Sequence, residues 1–331
     1  MNILVIGGQG FVGQYLVREI IKDPEHNVTI VSRNHNTDQH VTTKNNNNNN
    51  NNRVKKFTGV DILNYVDVLK YFKDQDVVFN LAGFISFKQK DRLMLNDINH
   101  FGALNVLNAC EKMNVKKLIH MSSTAALGFS NSEINESHTF DWSKAKKCVY
   151  SISKSLANND IKSSKCNTII VYPSLVIGPG DKTNTLKLIR AIEQKKIPFN
   201  SLGSNSIVDV RDLARALSFL MKSKSTHKEY IISQGSYSFK EINHKIANVL
   251  NVNPPKFTAP KEMLYPLLFL INLIEIFSKN PPITYENVYL SFKDRKHNNE
   301  RLKSIGFKFR YSLDKTIEDS IKWSKGINEE K

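Results

Sequence analysis

Met1–Val17 reads MNILVIGGQGFVGQYLV, and this stretch decides the fold. It opens with an apolar run of one strand's length, and apolar residues recur at helical spacing after the glycines. Gly7, Gly10 and Gly13 lie at the turn between the two patterns. Glycine there lets the backbone bend sharply and lets a pyrophosphate approach the N–H groups of the following helix. The spacing therefore predicts a dinucleotide-binding turn.

The end of the second apolar run indicates which dinucleotide is bound. Val28–Val31 is predicted to be the second parallel strand, and Ser32, Arg33 and Asn34 follow it. A carboxylate at the end of this strand would hydrogen-bond the ribose hydroxyls of NAD, but none of these three residues carries one. Arg33 carries a guanidinium fork that suits a phosphate. NADP(H) is therefore the preferred cofactor, with NAD(H) as the alternative; the other interpretation of Arg33 is a solvated cation.

Composition restricts the class of protein. Hydrophobic residues make up 40% of the 331, which is enough for a sizeable core. The formal charge of +16 raises the question of nucleic acid, but the lysines are scattered and no nucleic-acid-binding motif is present. No nucleic-acid partner is predicted. Asn45–Asn52 is a run of eight asparagines, and we interpret residues 34–53 around it as a disordered insertion.

The cysteines and termini give further expectations. Cys110, Cys148 and Cys166 are odd in number and lack C-x-x-C spacing, and no H-E-x-x-H motif occurs. This pattern predicts a reducing, cytoplasmic location and no metal site. The first strand is expected to begin at residue 2, which leaves no room for a targeting peptide. No apolar stretch reaches 18 residues, so no membrane span is expected.

Strand-like and helix-like patterns alternate along the first two thirds of the chain. This alternation predicts an α/β fold, a Rossmann-type doubly wound parallel sheet with a smaller, mostly helical C-terminal substrate domain. The expected domains are 1–172 with 205–233 for NAD(P) and 173–204 with 234–325 for the substrate. The predicted strands are Ile3–Ile6, Val28–Val31, Val54–Phe57, Val77–Leu81, Leu118–Met121, Thr168–Tyr172 and Tyr230–Ile232.

Tyr150 and Lys154 are the second chemical signal. On a helix, residues four apart project from one face. A tyrosine with its usual pKa near 10 becomes a useful acid or base when a nearby ammonium lowers that pKa. Ser123 follows the predicted strand at 118–121, where a hydroxyl can orient a substrate carbonyl. An ordinary exposed Tyr/Lys pair is the other interpretation.

Together these motifs resemble the extended short-chain dehydrogenase/reductases, also called the NAD-dependent epimerase/dehydratase family. The resemblance covers nearly the whole chain, and the tail is similar to the dihydroflavonol reductase-like and 3β-hydroxysteroid dehydrogenase-like branch. It is carried by the glycine turn, Asp61-Ile62, Asn80-Leu-Ala-Gly83, Asn99–Val106, the serine strand up to Gly128, Tyr150/Lys154, Pro173–Asp181 and Val208–Ala216.

The resemblance implies roles for individual residues. Ser123, Tyr150 and Lys154 would be the catalytic residues, with Ser122 and Thr124 as alternatives for the hydroxyl. Asn99 would orient the lysine through water or act as a buried helix cap. The implied cofactor-binding residues are Gly7, Gly10, Phe11, Val12, Gly13, Arg33, Asp61, Ile62, Leu81, Ala82, Gly83, Asn99, Tyr150, Lys154, Pro173 and Val176.

Departures from the family pattern narrow the expected reaction. Ala125-Ala126 replace the acidic pair of the sugar dehydratases, and Gly203–Ile207 lacks the arginine common in nucleotide-sugar enzymes. We therefore expect an NADP(H)-preferring oxidoreductase that acts on a secondary alcohol or ketone of a fairly apolar small molecule, steroid- or flavanonol-like. A sugar or nucleotide-sugar epimerase and a catalytically silent scaffold are the alternatives. Residues 263–277 would line an apolar pocket, contact a membrane peripherally or pack internally, and a homodimer stays open.

Overall fold

The computed structural model describes residues 1–33, 53–130, 132–143, 145–278 and 283–329, with side chains to 326. The predicted disordered insertion therefore lies, apart from Arg53, outside the described residues. The strands in chain order are β1 (Asn2–Ile6), β2 (Asn27–Ser32), β3 (Val54–Thr58), β4 (Val77–Asn80), β5 (Lys117–Met121), β6 (Thr168–Pro173), β7 (Leu175–Ile177), β8 (Ser204–Asp209), β9 (Glu229–Ile232), β10 (Gly235–Ser238) and β11 (Asp294–Arg295).

The helices connect and cover these strands. A π turn at Asp97–Phe101 joins the third helix to the fourth, so that they form one continuous helical segment. The helices are α1 (Phe11–Ile20), α2 (Tyr65–Leu69), α3 (Arg92–Asn96), α4 (Gly102–Lys112), α5 (Val149–Ser163), α6 (Thr185–Glu193), α7 (Val210–Lys222), α8 (Phe239–Leu250), α9 (Leu264–Phe277), α10 (Tyr285–Ser291), α11 (Glu300–Ser304) and α12 (Leu313–Glu329).

The larger sheet has, within the described residues, seven parallel strands in the order β3-β2-β1-β4-β5-β6-β9. The chain leaves β1 toward one edge and returns to β4 on its other side. This reversal makes the β1/β4 junction the switch point at which such sheets bind ligands. The predicted Rossmann-type α/β fold is confirmed, and all seven predicted strands belong to this sheet.

Apolar helix faces cover both sides of the larger sheet. On one side α1 and α7 pack against the strands through residues such as Leu16 and Leu217. On the other side α2, α4 and α5 contribute residues such as Val106 and Ile161. Because both faces are buried, strands such as β1 are continuously apolar rather than alternating.

The strands β7, β8, β10 and β11 form a second, smaller sheet. Helices α6, α8 and α12 pack against it around a separate apolar cluster. The described residues of 234–325 form helices α8 to α12 with loops between them, and two short strands, β10 and β11, that the sequence pattern did not predict. The predicted division also grouped 205–233 with the larger sheet. Instead β8 pairs in the smaller sheet, whereas α7 and β9 return to the larger one.

Segment 263–277 forms a short turn and then α9. Leu264, Leu268 and Ile271 are its buried residues, and most of its other apolar side chains are exposed. Across the described ranges, no helix has the length and apolarity needed to cross a membrane.

Candidate active site

The glycine turn between β1 and α1 forms a backbone cradle. Gly7 adopts a left-handed φ of 78°, and Gly10 N–H donates to the Gly7 carbonyl at 2.9 Å. A Cβ on Gly13 would lie 2.4 Å from the Gly7 carbonyl oxygen, so only glycine fits. Gly10 occupies the N-cap position of α1 without a side-chain cap, so the first N–H groups of the helix are available to an anion. These features fit the pyrophosphate of a dinucleotide.

A cavity of about 240 Å3 opens beside this turn, at the carboxyl ends of the central strands. Its volume approaches the lower end of the range typical for small-molecule sites. Eight of the expected cofactor-binding residues line it: Gly7, Gly10, Arg33, Asp61, Ile62, Leu81, Ala82 and Gly83. The lining residues that the sequence analysis missed are Ile6, Gln9, Ser32, Val60, Phe84 and Ile98.

Other expected cofactor residues lie outside this lining. Phe11 and Val12 are half-buried in the first turn of α1, and Phe11 contacts the turn at Gly180. Pro173 is buried at the end of β6, and Val176 pairs with Val208 in the smaller sheet.

Among the described residues, the cavity lining contains one cation, Arg33, and one carboxylate, Asp61. Arg33, directly after β2, is exposed at the rim, and its carbonyl accepts a hydrogen bond from Gly59 N–H. Asp61 Oδ1 accepts from Leu63 N–H at 3.0 Å. Arg33 is therefore the lining residue whose charge complements a phosphate.

Tyr150 lies in the first turn of α5 and is 8% exposed. Burial raises the pKa of Tyr150 to about 12, and a side-chain hydrogen bond with Ser123 opposes that rise. Ser123 begins the 3₁₀ turn after β5, where its Oγ accepts from Ala125 N–H at 3.2 Å. The structure therefore brings together the serine and tyrosine that the sequence singled out.

Lys154 lies one turn further along α5 and is 4% exposed. Its Nζ donates to the Met121 carbonyl at 3.3 Å, and burial lowers the pKa of Lys154 to about 8. A Cβ on Gly83 would lie 3.1 Å from that Nζ. Because Gly83 also lines the cavity, Lys154 joins the dinucleotide cleft to the tyrosine.

Asn99, within the π turn, is 1% exposed. Its Oδ1 accepts from Phe84 N–H at 2.8 Å, while its Nδ2 donates to the Phe84 carbonyl at 2.9 Å and to Ser153 Oγ at 3.0 Å. Asn99 therefore ties a cavity-lining loop to α5. π turns are frequent at functional sites because they redirect single side chains.

The surroundings of Tyr150 are apolar. The Phe87 ring meets the Tyr150 ring edge-on at 5.6 Å, and Phe84, Leu95 and Ala125 pack in the same cluster. Phe84, Phe87 and Leu95 could not be assigned to the site from the sequence, because they come from a loop and a short helix without a distinctive pattern. Among the residues the structure describes, no group of three or more His, Cys, Asp or Glu side chains could hold a metal.

Comparisons with known proteins agree with this architecture. The model of the NAD dependent epimerase/dehydratase family matches residues 3–233. A mouse sterol-4-alpha-carboxylate 3-dehydrogenase, decarboxylating, is 24% identical over 96% of this chain and 89% of its own. A bifunctional dihydroflavonol 4-reductase/flavanone 4-reductase from Malus domestica is 23% identical over 95% of this chain and 87% of its own.

A solved structure extends the comparison of the fold. The UDP-glucuronic acid 4-epimerase of Bacillus cereus, in complex with NAD, superposes with a TM-score of 0.74 at 16% identity, covering 99% of both chains. The family model spans well over half of the sequence and includes the glycine turn between β1 and α1. The chain therefore belongs to the NAD dependent epimerase/dehydratase family, the extended short-chain dehydrogenase/reductases, and is an NAD(P)-dependent enzyme of the oxidoreductase and epimerase type.

Proposed function

We propose that the protein is an NADP(H)-preferring oxidoreductase that transfers a hydride to or from a secondary alcohol or ketone of a fairly apolar small molecule. The observation that carries this proposal is the apolar position of Tyr150, beside Ser123 and one helical turn from Lys154 at the dinucleotide cleft. An acid–base group is useful only within hydrogen-bond reach of the reacting oxygen. A carbonyl seated against Phe87 would meet that condition.

The three side chains would divide the work. Ser123 would donate a hydrogen bond to the substrate oxygen, and Tyr150 would give that oxygen a proton during reduction or accept it during oxidation. Lys154, charged below its pKa of about 8, would bind the ribose next to the nicotinamide. When bound, the nicotinamide supplies or accepts the hydride.

Arg33 supports the preference for NADP(H). It is an exposed cation on the rim of the cavity, directly after β2. A guanidinium binds a phosphate through parallel hydrogen bonds, whereas a ribose hydroxyl at this position would call for a carboxylate. The Bacillus cereus structure binds NAD, so the two dinucleotides must be compared directly.

The substrate class rests on the lining around Tyr150 and on the relatives. Phe84, Phe87 and Leu95 offer apolar contacts rather than hydrogen bonds to sugar hydroxyls. Two relatives are named as acting on a sterol derivative and on flavonoids. We propose that the smaller sheet and its helices complete this pocket; this unit corresponds to the predicted substrate domain, 173–204 with 234–325, extended by β8.

An epimerase is the second candidate, and Arg295 is the observation that favours it. This arginine on β11 pairs in register with Asn205, beside the Gly203–Ile207 stretch that itself lacks an arginine. Among the described residues its Nε makes no hydrogen bond, which would suit a diphosphate. An epimerase retains its cofactor through the cycle, so tightly bound NAD in the purified protein would favour this candidate.

The deciding experiment is a substrate screen with both reduced cofactors. Purified protein is mixed with NADPH or NADH and with ketosteroids, flavanonols or sugar nucleotides, and cofactor absorbance is followed. We expect oxidation of NADPH, faster than that of NADH, with an apolar ketone. Conversion of a sugar nucleotide without net cofactor consumption would overturn the oxidoreductase proposal in favour of the epimerase.

We further propose that the protein is cytoplasmic and binds anionic membrane surfaces through the outward face of α9. Within α9, where every residue is described, this face has no charged side chain, because Glu275 turns back to accept a hydrogen bond from Tyr285 N–H. Its exposed members are Tyr265 at 77%, Phe269 at 68%, Leu270 at 52%, Leu273 at 39%, Ile276 at 73% and Phe277 at 85%.

Charge favours a bilayer as the occupant of this face. Two lysines, Lys256 and Lys261, and one carboxylate, Glu262, are exposed just before α9, so this stretch is net positive, and the chain as a whole carries +16. Lysines beside an apolar helix face are typical of helices that lie in an anionic interface. Lys147, three residues before Tyr150, donates to Asn272 on α9 at 3.1 Å. An apolar substrate that partitions into the bilayer would thus be presented near the tyrosine.

Vesicle flotation tests this contact. The native protein should float with vesicles of phosphatidylglycerol and phosphatidylcholine, and Phe269→Glu with Phe277→Glu should abolish flotation. Val66→Glu, which charges another exposed apolar residue on α2, should leave it unchanged. If light scattering instead shows a homodimer that the double variant dissociates, the face is a subunit interface and the membrane proposal is wrong.

A further inference from the structure

Glu286 is a fully buried carboxylate in the first turn of α10. This helix packs against the segment that leads into α5. The Tyr285 ring lies 4.8 Å from the Lys147 ammonium, and the Tyr289 ring meets Phe129 edge-on at 5.8 Å. α10 is therefore held at the start of the helix that carries Tyr150.

The Glu286 carboxylate reaches the N-terminus of α5. Ser151 Oγ donates to Glu286 Oε1 at 3.2 Å, and the backbone amides of Tyr150 and Ser151 stabilise its charged form. Cys148, at the N-cap position, makes no side-chain cap hydrogen bond. The first N–H groups of a helix lack partners within it, and a negative charge there also interacts favourably with the helix dipole. Glu286 thus supplies from another element the cap that α5 lacks.

Three titratable groups among the described residues interact with the Glu286 carboxyl group. Arg295 on β11 faces it as a cation, and Cys148 and Tyr150 face it from the start of α5. Burial raises the pKa of Glu286 to about 8, while its hydrogen bonds and Arg295 oppose that rise. Glu286 Oε2 has no hydrogen-bond partner among the described residues. Burying a carboxyl oxygen without a hydrogen bond costs folding free energy, which suggests that Glu286 is kept in this position for its function.

We propose that Glu286 is a positioning residue for the reaction: its buried carboxyl group holds the first turn of α5 through hydrogen bonds and thereby fixes Tyr150 beside Ser123. The inference rests on the acid–base role proposed for Tyr150. Glu286 does not line the dinucleotide cavity, so its effect is expected on turnover rather than on cofactor binding.

Glu286→Gln gives the most specific readout. Above pH 8, where Glu286 is ionised, its charge raises the pKa of Tyr150, so removal of the charge should lower that pKa. In the oxidation direction, the rate rises as Tyr150 loses its proton. The pH limb of kcat should therefore move to lower pH by about one unit, the size expected for a charge nearby in a partly buried site. Glu300→Gln, the same change in the exposed first turn of α11, should leave the limb in place.

Glu286→Ala removes the hydrogen bonds as well as the charge. Turnover should fall by about ten- to a hundredfold because Tyr150 loses its alignment, while the KM for the cofactor stays close to the native value. Partial recovery of kcat in Glu286→Gln would show that the hydrogen bond to Ser151 matters separately from the charge. Thermal melting of both variants identifies any general loss of folding.

Two results would overturn the inference in distinguishable ways. If Tyr150→Phe, measured alongside, remains active, the proposed function fails and the role of Glu286 fails with it. If Tyr150→Phe is inactive but Glu286→Gln keeps both the native kcat and the native pH limb, the function stands. In that case Glu286 has no part in positioning the tyrosine.

Discussion

The two ends of the candidate site, the glycine turn and the surroundings of Tyr150, differ in what forms them: backbone at the first and side chains at the second. At the glycine turn, the shape comes from the backbone: Gly7 supplies a left-handed φ, and Gly13 leaves no room for a Cβ. Around Tyr150, buried side chains set the chemistry, with Ser123 as a hydrogen-bonding neighbour and Lys154 as a desolvated ammonium. The glycine turn provides backbone N–H groups and space for a dinucleotide. The side chains around Tyr150 set the protonation of that tyrosine. Substitutions at the two ends should therefore separate binding and stability from turnover.

Tyr150→Phe is the largest expected effect and tests the second end alone. The variant keeps the ring and its contact with Phe87 but loses the proton that the reaction requires. Turnover should fall by about 10²–10⁴-fold, the contribution typical of a positioned acid–base group. Cofactor affinity, measured by fluorescence titration, should stay at the native value. Tyr65→Phe, at a half-buried position on α2 outside the cavity lining, is the matched control.

Lys154→Met tests whether burial of the Lys154 ammonium lowers the free energy of unfolding. Burial lowers the pKa of Lys154 from 10.5 to about 8, so the folded protein binds fewer protons than the unfolded chain between these values. The cost of burying the charge is full below pH 8 and is relieved as the pH rises toward 10.5. The free energy of unfolding of the native protein, relative to the variant, should therefore rise by about 3 kcal/mol over that window.

Chemical denaturation at several pH values measures this difference. Lys322→Met, at an exposed position of α12, should run parallel to the native protein. A gap between native protein and Lys154→Met that stays constant from pH 8 to 10.5 would contradict the predicted cost.

Arg33→Ala tests the charged rim of the first end. If Arg33 binds the 2′-phosphate, the variant should lose about 1.5–3 kcal/mol of NADPH affinity, the range for a hydrogen bond to a charged group. NADH affinity should hardly change. Lys55→Ala, which removes an exposed cation of β3 outside the cavity lining, is the control. Equal losses for both dinucleotides would instead assign Arg33 a structural role.

Gly13→Ala is the smallest of the four effects and tests the backbone cradle. The new Cβ would lie 2.4 Å from the Gly7 carbonyl oxygen, so the turn must shift. Overpacking of this kind costs about 1–3 kcal/mol, and the free energy of unfolding should fall by that amount along with dinucleotide affinity. Gly326→Ala, in the open surroundings of α12, should be neutral or slightly stabilising. Native affinity in Gly13→Ala would show that the cradle tolerates a side chain.

The sequence was sufficient where neighbouring residues build one feature. Gly7, Gly10 and Gly13 form a single turn, and Tyr150 and Lys154 share a helix face, so spacing alone predicted their arrangement. Ser123 was found because it follows a strand end. The sheet was predictable because its strands are short apolar runs between helical patterns.

Features assembled across the chain could not be predicted in this way. Glu286 lies 135 residues from its partner Ser151, and no local pattern links them. β8 was missed because its serines and asparagine are polar yet buried; Ser206 Oγ and Ser236 Oγ pair at 2.7 Å inside the smaller sheet. Phe87 and Arg295 likewise acquire their meaning only from the elements packed against them.

The π turn at Asp97–Phe101 determines how many residues the helical segment of α3 and α4 contains. Such a turn accommodates one residue more than an α-helical turn of the same rise, so it has the form of a single-residue insertion. Deleting one residue there would restore a regular helix and leave the turns on either side in phase, but it would change the direction of the side chains within the turn. Gly102–Lys112 would keep its buried face, whereas Asn99 would lose its alignment with Phe84 and Ser153. The number of residues in the α3–α4 segment is therefore tied to the direction of the Asn99 side chain.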